Sequence, residues 1–96
     1  MRPAEKPQIL ITDLSETPSA DHRRVTLNGT LENRGAAPTH EIFVHVEALD
    51  RDGAVVLSTD SDPSSPIIAP GSTSRFAATF ENRADIDHYH VEAISR

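Results

Sequence analysis

His40-Glu-Ile-Phe-Val-His-Val-Glu-Ala-Leu-Asp-Arg-Asp-Gly53 alternates at period two. Ile42, Val44, Val46 and Ala48 fall on one face, and Phe43, His45, Glu47 and Leu49 on the other. Successive side chains of an extended chain point to opposite sides, so this spacing predicts a strand with one apolar face against a core. Asp50-Arg-Asp-Gly53 is a turn signal, and Ala54-Val-Val-Leu57 opens a new β-rich run. The chain is therefore expected to fold straight back on itself.

The same period recurs on both sides of this stretch. Gln8-Ile-Leu-Ile-Thr-Asp-Leu14 reads as a first strand, and Ser15 to His22, with Pro18, as a loop. Residues 23–33 place Val25, Leu27, Gly29 and Leu31 on one face. The alternation runs through Asn28-Gly29, which makes Gly29 a strand glycine marking close backbone approach or a bulge. Asn33-Arg-Gly-Ala-Ala-Pro38 is the break that follows. Ile67-Ile68 reads as a very short strand or as apolar filler beneath a loop. Ala69-Pro70-Gly71-Ser72 suits a type II turn, with Gly71 supplying the positive φ. Phe76, Ala78 and Phe80 share a face in residues 72–82, and Tyr89, Val91 and Ala93 share one in the last run. No window holds a helical repeat longer than two turns. The expected architecture is all-β: an immunoglobulin-like antiparallel β-sandwich of six or seven strands, one domain over residues 8–96 after a lead-in of residues 1–7.

Ninety-six residues make one domain with a modest core. Aromatics are few, so the core is expected to be mainly Val, Leu, Ile and Ala. The net charge is −6, with no basic cluster, which speaks against nucleic acid and anionic lipid as partners. No apolar run approaches the length that spans a bilayer, so direct membrane insertion is not expected. Met1-Arg-Pro-Ala-Glu-Lys-Pro lacks the apolar core of a secretory signal. Met1 reads either as a true start or as the edge of a segment from a longer protein. The absence of cysteine excludes disulfides, thiolate metal sites and thiol catalysis.

Three stretches carry a family resemblance. Val25-x-Leu27-x-Gly29-x-Leu31-x-Asn33-x-Gly35, Val44-x-Val46-x-Ala48-Leu49-Asp50-x-Asp52-Gly53 and Ile68-Ala69-Pro70-Gly71-x-x-x-x-Phe76 resemble the FxLYD-type immunoglobulin-like domain of bacteria and archaea, and related CARDB-like modules. The likeness covers residues 22–94. Ala48-Leu49 stands where the family name has Leu-Tyr. The resemblance implies a small β-sandwich, usually extracytoplasmic and attached to a lipoprotein signal, a membrane helix or other domains, without catalytic residues. Asp85-x-x-x-Tyr89-x-Val91 is in addition similar to the approach to the tyrosine corner, with Val91 where antibody domains have their second cysteine. On that reading the last run is strand F, and strand G is missing or supplied elsewhere. The alternative is a core aromatic with its hydroxyl at the rim.

The five histidines are the one feature with candidate chemistry. His88 and His90, two apart on a strand, share a face, and an immunoglobulin-like sandwich would set His45 beside them. Those three imidazoles, with Glu92 or Glu47 as an oxygen ligand, form a candidate metal site. The competing reading is a set of ordinary polar residues on a solvated sheet face. No Gly-x-Ser-x-Gly elbow and no glycine-rich phosphate cradle occur. Asp50-Arg-Asp52-Gly53 lacks the remaining ligands of a calcium loop and reads as a hairpin turn.

Phe43 and Leu49 point away from the expected core, and an outward apolar pair on a sheet suggests something packing over it. The function expected from the sequence is a non-catalytic interaction or spacer module of the cell envelope, without a cofactor. Its partner would be another protein, a neighbouring domain, or a second copy through an edge strand. The alternative is a metal- or ligand-binding domain built on the histidines.

Overall fold

The alternating segments become six strands in the structure, a computed structural model that describes residues 8–96. The expected lead-in, residues 1–7, lies outside the described residues. The strands are β1 (Ile9–Pro18), β2 (Arg24–Asn33), β3 (Ile42–Leu49), β4 (Val55–Ser61), β5 (Thr73–Glu81) and β6 (His88–Ser95). All pair antiparallel, in two three-stranded sheets ordered β1-β2-β5 and β4-β3-β6. The sheets stack as a β-sandwich. Val25, Leu27, Leu31, Phe76, Ala78 and Phe80 fill the space from one sheet, and Ile42, Val44, Val46 and Ala48 from the other. These are the residues that period-two spacing assigns to the apolar faces, because a strand buries every second side chain.

The first strand is longer than its sequence suggests. Ser15, Glu16 and Thr17 look like loop, but they pair with Asn28, Leu27 and Thr26, and β1 ends only at Pro18. A bulge makes this extension work. The register steps between Thr12 and Ser15, so Asp13 and Leu14 together oppose Gly29, and Asp13 takes φ 56°. The extra residue restarts the ladder in a new register. Asp tolerates the left-handed region better than most side chains do. A polar hairpin connection follows, in which Ser19 N donates to Arg24 O at 2.9 Å.

Of the two expectations for Gly29, the bulge is found, though on the neighbouring strand, and what approaches closely is side chain and not backbone. Gly29 faces the bulge of β1, and the ring of its cross-strand partner Phe76 lies against it from β5. A Cβ at this position would stand 2.5 Å from Phe76 Cε1 and 3.0 Å from Leu14 Cδ2. The Asp50–Gly53 hairpin turn and the Ala69–Ser72 turn also form as read. Asp50 Oδ1 accepts from the amides of Asp52 and Ala54 at 2.9 and 3.0 Å. Ser72 N donates to Ala69 O at 3.0 Å, and Gly71 takes φ 78°.

Asn33 is the most deeply buried polar residue among the described residues. It ends β2 with 0% exposure, and its carboxamide makes four hydrogen bonds. Oδ1 accepts from Gln8 N at 3.1 Å and Gly35 N at 2.9 Å. Nδ2 donates to Ala37 O at 2.8 Å and Ile68 O at 2.9 Å. Both donors and both lone-pair directions are thereby satisfied. Ile68 is filler and not a strand: it is buried, while Ile67 is exposed. Thr39 N donates to Ile68 O at 3.0 Å and Thr39 Oγ1 accepts from Ile68 N at 2.8 Å.

Replacing Asn33 with Ala would leave two amides and two carbonyls without that partner, each costing about 1–3 kcal/mol where water cannot reach. We expect Asn33→Ala to lose roughly 3 kcal/mol or more in urea unfolding, a large share of the ~5–15 kcal/mol typical of a domain. Asn33→Asp, which keeps the acceptors but turns a carboxylate toward two carbonyls, should be no better. Full stability in either variant would refute the role.

Candidate functional site

A sandwich of two three-stranded sheets has four free edges, and here the two lateral sides differ. On the β4–β5 side residues 61–65 lace the layers together. Ser64 N donates to Arg75 O at 2.8 Å, Arg75 N donates to Ser64 Oγ at 3.1 Å, and Ser61 Oγ donates to Ala77 O at 2.6 Å. Ser74 Oγ, buried, accepts from Ser65 N at 2.8 Å, and Pro63 is buried beneath the crossing.

Among the described residues the β1–β6 side is open: β1 pairs only with β2, and β6 only with β3. Between them lies a trough of about 360 Å³ whose apolar walls are Ile9 and Ile11 of β1, Ile42 of β3, and Val91 and Ala93 of β6. Val91 and Ala93 are half-buried, although their cross-strand partners Val46 and Val44 are almost fully enclosed. A second hollow of about 240 Å³ continues toward the other end, against Leu14, Leu27 and Tyr89. Leu14 is 49% exposed there.

Among the described residues one hydrogen bond spans the opening. Tyr89 OH donates to Glu16 Oε2 at 3.0 Å, joining β6 to β1. The ring packs on Phe80 at 5.5 Å between centroids, tilted by 52°. Burial, and then the bond to the Glu16 carboxylate, push the phenol up to about 12. The tyrosine-corner expectation fails here, because the hydroxyl crosses to the opposite sheet instead of returning to nearby backbone. Asp85, the upstream residue of that motif, is held by Arg83 at 2.7 Å. The register explains the difference: after the bulge Glu16 stands opposite Leu27 on the inner side of β1, within reach of the phenol.

The outer face of the β4-β3-β6 sheet carries the histidines. His45 lies between Asp60 and Glu92, Glu47 between Ser58 and His90, and Leu49 between Val55 and His88. The expected neighbourhood of β3 and β6 is therefore present, but each imidazole has its own carboxylate. His45 Nδ1 lies 2.7 Å from Asp60 Oδ1, and its Nε2 3.6 Å from Glu47 Oε2. His88 Nδ1 lies 2.9 Å from Asp87 Oδ2, and His90 Nε2 lies 4.0 Å from Glu92 Oε2. Among the described residues no group of three His, Asp or Glu side chains is placed to hold a metal ion. The Asp60 bond, followed by the weaker contribution of Glu47, raises the His45 pKa above its ordinary value, opposed by partial desolvation. His22 and His40 are exposed and away from this row.

Phe43 and Leu49 do face outward, but they do not form one patch, since His45 and Glu47 separate them along β3. Phe43 lies opposite Ile94 and is capped by Arg96, whose guanidinium carbon stands 5.1 Å from the ring centroid. Arg96 is itself paired with Asp62. The chain's own C-terminal residue thus covers the Phe43 half of the expected interaction face.

The trough is the feature that the sequence does not announce. Its walls come from the first and last strands, and period-two spacing marks Ile9, Ile11, Val91 and Ala93 as core without saying that nothing closes over them. The available signal was the likeness of the last run to strand F, which in that fold is followed by a strand at the same edge. No protein-family model, curated protein or solved structure matches this chain.

Two measurements check this geometry. Tyr89 is the only tyrosine and tryptophan is absent, so near-ultraviolet absorbance reports one phenol. It should ionise near pH 12 instead of about 10, and Glu16→Gln should bring it only part of the way back, because burial is the larger cause. A midpoint near 10 in the folded chain would contradict the bridge. The folded His45 pKa exceeds the unfolded one, so its stabilising contribution is complete below the unfolded value of about 6.5 and is lost as pH rises through the folded value. Asp60→Asn should therefore destabilise more at about pH 6 than at about pH 8.5, and lower the His45 midpoint seen by NMR. An equal cost at both pH values would sink the assignment.

Proposed function

We propose that this chain is a non-catalytic, immunoglobulin-like interaction module that receives an extended segment of another polypeptide in the β1–β6 trough. The sheet orders support the immunoglobulin-like reading. In that fold the sheets run A-B-E-D and C′-C-F-G, and β1-β2-β5 with β4-β3-β6 correspond to A-B-E and C′-C-F. The place beside β6 is then the place of strand G. Adding a strand to an exposed sheet edge is a recurrent mode of peptide recognition, with backbone hydrogen bonds supplying affinity and alternate side chains filling pockets.

The single observation that carries this reading is the unequal treatment of the two sides. One is sealed by side-chain and backbone hydrogen bonds, while on the other no described residue covers the sheet edge above half-buried Val91 and Ala93. A bare apolar edge is an aggregation liability that native sandwiches generally blunt. Its presence here is accounted for by a segment that covers it. The resemblance of the strand and turn motifs to envelope modules agrees with a role in joining proteins, and the cell envelope is the compartment we infer from it.

The test is to supply the missing strand. A neutral segment, Thr-Ile-Thr-Val-Thr-Ala-Thr, joined behind Arg96 by a short glycine-containing hairpin, should pair with β6. The β6 amides facing the trough should become protected from hydrogen exchange. A gain of about 1 kcal/mol would lift the melting temperature by roughly 4–8 °C. A control with proline at its second and fourth positions should give neither effect. If the two fusions melt alike and β6 exchange is unchanged, the trough does not accept a strand.

A further inference from the structure

Resting on that strand-acceptor reading, we infer that the segment it takes is net basic and runs antiparallel to β6, with a Lys or Arg set directly opposite Glu92. The inference comes from what lines the outer side of the free edge. A strand laid antiparallel on β6 presents alternate residues to the trough and to solvent. Its inward residues meet Ala93, Val91 and Tyr89. Its outward residues meet Ile94, Glu92, His90 and His88.

Of those outward positions, Glu92 carries the available charge. It is exposed, with its carboxylate 4.0 Å from His90. Its cross-strand neighbour His45 has turned both ring nitrogens elsewhere, to Asp60 and Glu47. A base opposite Glu92 finds an acid whose partner among the described residues, His90, stands as far as 4.0 Å away, whereas an acid placed there meets like charge. The whole chain points the same way: its net charge of −6 draws in a basic segment and repels an acidic one. Inward, Tyr89 already fills its end of the trough, so a small residue fits opposite it and larger aliphatic residues fit beside Val91 and Ala93. The pattern in chain order is polar, aliphatic, basic, aliphatic, polar, small, polar.

A second copy of this chain is a poorer occupant. Pairing β6 with β6 about a twofold axis at Val91 does set His90 opposite Glu92. It also brings a second β1-β2-β5 layer to the same side of the sheet, where the first copy already reaches across through Tyr89 and Glu16. Two chains of −6 repel as well. A bare segment brings neither a second layer nor that charge.

The experiment titrates the isotopically labelled full chain, at about 0.1 M salt, with two capped peptides. One is Thr-Ile-Lys-Val-Thr-Ala-Lys, the other Thr-Ile-Glu-Val-Thr-Ala-Glu. The basic peptide should bind about tenfold or more tighter, with amide shifts concentrated at Ile9, Ile11 and residues 88–94. In Glu92→Lys, an exposed substitution expected to leave the fold intact by its amide spectrum, the preference should narrow or reverse. Equal binding of both peptides would overturn the charge inference while leaving strand acceptance standing. Binding of neither, together with failure of the fused strand, would overturn both. Sedimentation showing a dimer abolished by a proline at Val91 would overturn the choice of occupant in favour of a second copy.

Discussion

The buried carboxamide of Asn33 is the interaction on which the geometry of this sandwich turns. Through Gln8 it fixes the chain immediately before Ile9, and through Ile68 it fixes the loop to which Thr39 is doubly bonded. Ile9 and Ile42, just beyond those anchors, are two walls of the trough. One side chain thus ties the start of β1, the end of β2 and two crossing loops, with each polar atom satisfied. A partly satisfied amide in that position would cost more than an apolar residue would. The opening between β1 and β6 is therefore held at a defined width by a group that does not itself line it.

The contrast between the lateral sides follows from the residues available to each. Residues 61–66 are rich in serine and proline. The serine hydroxyls reach the free edge of β5 where a full strand would otherwise be needed, and Pro63 fills the space below. Among the described residues β6 has no such neighbour. Its alternating His-Tyr-His-Val-Glu-Ala-Ile carries no proline, no bulge and no covering loop, which are the devices that usually disable an edge. The bulge at Asp13 and Leu14 instead bends β1, turning Glu16 inward so that the phenol of Tyr89 meets it. Among the described residues a single hydrogen bond at the rim then links the layers on that side.

The fold was legible because alternation is a local property. Val44, Val46, Phe76 and Phe80 announce their faces without knowledge of their partners, and Gly71 and Gly53 announce their turns. The end of β1 was not legible, because Ser15-Glu-Thr17 is polar and only pairing with Thr26, Leu27 and Asn28 makes it a strand. Asn33 read as the start of a loop, since a carboxamide with four partners looks in sequence like any asparagine before a glycine. Of the candidate site, the outward direction of His45, His88 and His90 followed from spacing. The carboxylate beside each one did not, because Asp60 reaches His45 only through the register of β3 with β4. The trough was the least legible feature, being a property of which two strands end up at the same edge.

An accepting edge needs discrimination as well as adhesion. Backbone hydrogen bonds to β6 are the same for any extended chain, and aliphatic side chains entering the trough distinguish little beyond size. Left to those terms alone, the edge would pair with whatever strand it met, including the unfolded or partly folded chain itself. Charge supplies the missing selectivity at small cost. The acidic residues are scattered over the surface, so they keep copies apart without building a local field that destabilises any one strand. On the outer face Asp60, Glu47 and Asp87 are held by His45 and His88 at closer range than Glu92 is by His90, so on the proposed reading Glu92 is the contact point for an incoming base. On the proposed reading, repulsion between copies and attraction at Glu92 act on the same edge, and together they favour a basic segment over self-association.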